Sequence, residues 1–89
     1  MKAIITVVGR DTVGILAKVS VVCAENNANI IDVTQSVLKD IFTMVMLVDM
    51  TNSKQELSAL ANALDQLGHD MGVEIRIQHE DIFNSMHRI

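Results

Sequence analysis

The run Gly9-Arg10-Asp11-Thr12-Val13-Gly14-Ile15-Leu16 holds the residues of this chain best suited to binding chemistry. It follows the apolar stretch Ile4-Ile5-Thr6-Val7-Val8 and opens a helical spacing, so it is a strand-to-helix turn. Gly9 is expected to let the chain leave the strand at a φ that other residues avoid. Asp11 or Thr12 can cap the first free N–H groups of the helix. Gly14 is expected in the first helical turn, where the missing Cβ leaves room for a ligand and alanine would suit the helix. A helix N-terminus with open donors favours anionic groups, carboxylates included. The N–H groups near Val13, Gly14 and Ile15 would hold a ligand carboxylate, and Arg10 could add a charge-assisted bond. Asp11 or Asp32 can meet an α-ammonium, and Asn29 offers both a donor and an acceptor to a zwitterion. Each has a plainer role as well: Arg10 a solvated loop charge, Asp11 a cap, Asn29 a turn residue, Asp32 a guard on a sheet edge.

Other chemistry is poorly supported. Cys23 lies on an apolar helical stripe and reads as a packing residue. His69, His79 and His87 form no ligand-spaced pair, so no metal or cofactor is implied. No nucleophile–base pair or acid–base carboxylate pair is legible, which argues against an enzyme. The net charge of -4 and the lack of a basic run disfavour nucleic acid, and two phenylalanines give a base-stacking sheet almost nothing to stack with. No stretch is long and apolar enough to span a bilayer. Met1-Lys2-Ala3-Ile4 reads straight into a strand without the regions of a signal peptide, and one cysteine suits a reducing compartment; a cytoplasmic location is expected.

Periodicity supplies the elements that must position the turn. Ala3, Ile5 and Val7 alternate as strand one. From about Val13 to Asn26, the stripe Ile15, Leu16, Val19, Val22 and Cys23 predicts a helix. Strand two runs from Asn29 to Leu38, Lys39-Asp40 turns the chain, and strand three runs from Ile41 to Met50. Ser53-Lys54-Gln55-Glu56 matches a capping box, the stripe Leu57, Leu60, Ala61, Leu64 and Leu67 follows, and Gly68 suits the position after the helix. Val73, Ile75 and Ile77 alternate as strand four. Residues 1–89 make one domain, with a short amphipathic tail over 81–89 spaced by Ile82, Phe83, Met86 and Ile89.

The order βαββαβ predicts an α+β, ferredoxin-like sandwich. Its antiparallel sheet has the order 2-3-1-4, with two helices on one face. Pairing Leu38 with Ile41 places Ile31, Val33 and Val37 beside Phe42, Met44, Met46 and Val48 under the helices. The opposite face then carries Asp32, Thr34 and Ser36, but also Ile4, Ile30, Val45 and Leu47, an apolar set that needs a cover from the tail or from a partner subunit.

The Gly9–Leu16 turn, the Asn29-Ile30-Ile31-Asp32 start of strand two and the βαββαβ order resemble an ACT domain. The ending from Ile82 to Ile89 is similar to that of a stand-alone bacterial and archaeal ACT group without an assigned activity, and more distantly to regulators of glycine cleavage. ACT domains are small regulatory modules, many of which bind amino acids at subunit interfaces. The resemblance therefore implies a homodimer or higher homo-oligomer, an amino acid ligand, and an enzyme or regulator that reads the bound state. The best-known amino-acid-binding loops carry an Asn and a Pro before the second glycine, where this chain has Asp11 and Val13. A ligand-free interaction subunit is the alternative. Gly9-Arg10 also matches the start of an acylphosphatase loop on the same fold, though without the rest of that pattern. Strands one and two are parallel in this topology, so the turn and Asn29 lie at opposite ends of the sheet. Only two chains paired through strand two would bring them together.

Overall fold

The computed structural model describes residues 1–10 and 13–86. Strict alternation builds the sheet. In β1 (Lys2–Arg10), Ala3, Ile5 and Val7 are buried; in β3 (Ile41–Asp49), Phe42, Met44, Met46 and Val48 are buried. These two strands pair antiparallel from Lys2 opposite Asp49 to Arg10 opposite Ile41. Outside them lie β2 (Asn29–Leu38), antiparallel to β3, and β4 (Glu74–His79), antiparallel to β1. The sheet order is β2-β3-β1-β4, as the sequence predicts. The helices α1 (Ile15–Glu25) and α2 (Leu57–Met71) cover one face. Ile15, Val19 and Cys23 from α1 and Leu60 and Leu64 from α2 complete the core there. Leu16, expected on that stripe, is exposed instead, because it lies about 100° round the helix from Ile15, off the buried line of Ile15, Val19 and Cys23. Truncating a fully buried leucine such as Leu64 to alanine typically costs about 2–5 kcal/mol.

The start of β2 departs from the expected register. A bulge between Ile30 and Asp32 places Ile30, not Ile31, opposite Val48. Ile30 packs against the core and Ile31 stands out, 46% exposed. One extra residue absorbs what would otherwise flip every downstream side chain, so Val33 and Val37 keep the face expected of them. Val37 is nonetheless 58% exposed, since α1 meets only part of β2.

Gly9 and Gly68 have other roles than the sequence suggested. Gly9 is an ordinary strand residue opposite Phe42. A Cβ there would lie 2.5 Å from Val73 Cγ1, so the glycine makes room for that side chain. Gly68 does not end α2 but lies inside it, where a Cβ would come within 2.7 Å of the Val73 carbonyl oxygen. The helix ends at Gly72, whose φ of 71° is the left-handed cap. The helix also starts later than the capping box implied. Glu56 is its N-cap, while the Ser53 hydroxyl donates to the Gln55 carbonyl in a local turn.

The tail forms α3 (Glu80–Met86), which begins directly after β4 and folds back over β1 and β4 on the face opposite α1 and α2. His79 Nδ1 accepts the Asp81 N–H at 3.0 Å, and Gln78 Nε2 donates to Met86 Sδ at 3.4 Å. Beneath it Ile4 is 8% exposed.

The two close approaches to Val73 differ in what can yield. Gly9→Ala should destabilise by about 1–3 kcal/mol, the usual range for overpacking. Val73→Ala should recover part of that loss, since the obstructing atom is its side-chain methyl. Gly68→Ala should show no such recovery, because its obstacle is backbone. A double-mutant cycle by urea melts reads both couplings.

Candidate functional site

The turn sits where β1 ends. Arg10, Val13, Gly14 and Ile15 lie there together; Asp11 and Thr12, expected as cap and ligand residues, lie outside the described residues. Gly14 is the N-cap of α1 rather than a residue of its first turn, and its φ is 87°. That corrects the reading in which alanine suits this position: an L side chain is strained at such a φ. Space is not the obstacle, since a Cβ at Gly14 would meet nothing within 4 Å. The first intrahelical bond runs from the Lys18 N–H to the Gly14 carbonyl at 3.0 Å. The amides of residues 15–17 therefore have no acceptor within the helix and give the turn its positive end. Val13 projects almost fully into solvent at 96% exposure. Arg10 is drawn toward the β2–β3 connection, where its guanidinium lies 3.6 Å from the Asp40 carboxylate. Both are well exposed, so the pair contributes little to stability.

Asn29 and Asp32 lie at the other end of β2. Arg10 pairs with Ile41, which pairs with Leu38; Asn29 pairs with Asp49, which pairs with Lys2. The two ends are nine strand positions apart, about 30 Å at the rise of an extended chain. Asn29 helps line a shallow cavity of about 410 Å³, together with Ser20, Cys23, Ala24, Asn27, Ala28 and Ile30. Asp32 Oδ1 accepts the Val33 N–H at 2.9 Å, beside the bulge. Within one chain, then, the structure groups the expected residues into two sets and keeps them apart.

Asp49, opposite Asn29, was not singled out by the sequence. Its Oδ1 accepts from the Thr51 hydroxyl at 2.6 Å and from the Thr51 N–H at 2.9 Å. Those bonds, the hydroxyl first, hold its carboxyl below the usual carboxylate range. It is a fixed negative charge at the Asn29 end. The D-x-T spacing was the available signal. Cys23 is fully buried, and burial pushes its thiol pKa up, in keeping with packing. Among the described residues, no three His, Cys, Asp or Glu side chains converge as a metal site would need. No described helix is long and apolar enough to cross a membrane.

Comparison with known proteins agrees with this architecture. The ACT domain profile matches residues 2–78, most of the chain. The chain belongs to the ACT domain family. A UPF0237 protein of Methanocaldococcus jannaschii is 46% identical over 88 residues, covering 99% of this chain and 98% of the relative. An ACT domain protein from Streptococcus pneumoniae superposes with a TM-score of 0.82 at 45% identity, with 98% of each chain covered. A candidate glycine cleavage system transcriptional repressor superposes at 0.74 with 25% identity; 89% of this ACT domain matches 47% of that longer chain. The profile stops before α3, whereas the two similar full-length proteins extend through it.

Two measurements test these assignments. Gly14→Ala should fold but lose about 1 kcal/mol, and Gly14→Asn should lose less, since asparagine tolerates positive φ; thermal melts give the order. Asp49 has its pKa lowered by folding, so its stabilising effect is present at neutral pH and fades as pH falls through the folded value. Asp49→Asn should therefore lower stability at pH 7 and match the wild type once the carboxylate is protonated.

Proposed function

We propose that this ACT domain is a regulatory module that binds an amino acid at two sites shared between the protomers of a homodimer. The observation that carries the reading is the placement of the turn and Asn29 at opposite ends of β2, an edge strand of the sheet. An edge strand presents backbone donors and acceptors to another strand. Antiparallel pairing of two copies of β2 about a two-fold centred near Val33 and Thr34 would set Asn29 of one protomer against Leu38 of the other. The end of the sheet that carries the α1 N-terminus of one chain would then meet the end that carries Asn29 of its partner. Amide donors suit the ligand carboxylate, and Asn29 offers both a donor and an acceptor to a zwitterion. The resemblance to a candidate transcriptional repressor supports a regulatory role. A ligand that prefers one arrangement of the dimer shifts the population toward it, and an enzyme or regulator can read the shift.

Amino acids screened by thermal shift should include one that raises the melting temperature of the wild type. Val13→Glu, a change at a fully exposed side chain, should leave the ligand-free melt unchanged and abolish the shift. Asn29→Ala should abolish it too. A heterodimer of these two variants has one doubly altered site and one intact site, so it should bind half the wild-type stoichiometry. No binding by that heterodimer would place each site within one chain. No shift in the wild type with any amino acid would favour the ligand-free interaction subunit instead.

A further inference from the structure

The sheet has a second edge, at β4. This strand pairs with β1 alone, so alternate N–H and C=O groups along it point away from the ladder. The helix α2 packs against it, and two cavities follow the seam between them. One, of about 340 Å³, is lined on the strand side by Ile75, Arg76, Ile77 and Gln78. Consecutive strand residues point to opposite faces, so a cavity that touches all four opens on the edge of the strand, not on one face. The other, of about 350 Å³, continues past Gly72, Val73 and Glu74. On the helix side Ala61, Asp65 and Gly68 line the seam, spaced as one stripe of α2. Asp65 belongs to both cavities. Its exposed carboxylate makes no hydrogen bond or ion pair with a described residue. The other charges of the seam answer each other: Arg76 Nη2 lies 2.6 Å from Glu74 Oε1, and Arg76 Nε donates to the same oxygen at 2.7 Å.

We infer that this seam is a docking groove for an extended segment of another protein, which adds to β4 as a fifth strand and sets a lysine or arginine against Asp65. The open backbone groups of β4 supply hydrogen bonds that any strand can use, and alternate side chains of the added strand supply specificity. Those that face the helix layer stand over the stripe of α2. Ala61 and Gly68 are small and leave room on either side of Asp65 for apolar side chains two residues before and after the basic one. Helix residues four apart rise about 6 Å, close to the ~6.6 Å between alternate residues of a strand, so the two spacings match over this short length. Charge selects the occupant. A second copy paired through β4 would bring another Asp65 to the groove, and its Arg76 is already held by Glu74. A basic segment meets the one unanswered carboxylate, on a chain whose net charge is -4. The groove lies at the edge of the sheet opposite β2, so it stays open in the dimer proposed above and does not depend on it.

The probe is the synthetic peptide acetyl-Thr-Val-Thr-Lys-Thr-Leu-Thr-amide, titrated into the full isotopically labelled chain and followed by NMR. Shift changes and slowed amide exchange should centre on residues 74–78. Two versions of the peptide, N-methylated at alternate sets of residues, separate edge addition from side-chain contact. The version methylated on the nitrogens that face β4 should bind about tenfold more weakly, and the other should keep its affinity. Asp65→Lys, at an exposed helix position, should weaken the peptide about threefold and strengthen its Lys→Glu version by a similar factor, the scale of an exposed ion pair. Circular dichroism melts confirm that the variant is folded. No binding at millimolar peptide, equal losses in the two methylated versions, or shifts centred on β2 would overturn the groove. An Asp65→Lys variant with unchanged preference would overturn the basic partner. Residues 74–78 protected in the chain alone, and released on dilution, would assign the groove to a second copy and overturn the proposal as well.

Discussion

Val73 is the joint on which the position of the turn depends. Its side chain fills the space that a Cβ on Gly9 would occupy, and its carbonyl oxygen lies where a Cβ on Gly68 would project. Its N–H donates to the Gly68 carbonyl at 2.9 Å. The end of β1, the last turns of α2 and the start of β4 are thus held together at one residue. The strand β1 ends one residue beyond that joint, at the side of the sheet where α1 begins.

Two open surfaces of β2 differ in kind. The outer edge of β2 offers backbone donors and acceptors, which bind another strand with little regard for its side chains. The face of β2 and β3 that α3 leaves bare offers side chains, whose fit depends on register and shape. The bulge at Ile31 increases the local twist of the strand.

Element order and sheet topology were legible because alternation and helical spacing are properties of the chain itself. Where two residues satisfy the same pattern, the sequence is silent. Ile30 and Ile31 are equally apolar, and the bulge between Ile30 and Asp32 turns Ile30 inward. Glycine is similarly ambiguous. Gly9 and Gly68 admit a neighbour, Gly14 and Gly72 adopt a positive φ, and nothing in the neighbouring letters separates those uses. The capping box at Ser53 failed because its hydroxyl found a nearer backbone partner in Gln55. Of the site, the turn and Asn29 were legible by residue type. Asp49 was missed, although the D-x-T spacing to Thr51 carried its signal.

The ladder between β1 and β4 has a consequence for how the chain acquires its shape. Ala3 pairs with His79, so the first strand meets the last across nearly the whole length of the chain. The β2–β3 hairpin, closed by Lys39 and Asp40, instead joins neighbours in sequence. Loop closure is cheap for the hairpin and expensive for the long-range ladder. On a ribosome, the hairpin is complete well before β4 has been synthesised, and β1 waits with one side unpaired. The helix α3, which shields Ile4, follows β4 in the chain and so is made later still. Until then the nascent domain displays an apolar strand flank that the finished protein never shows.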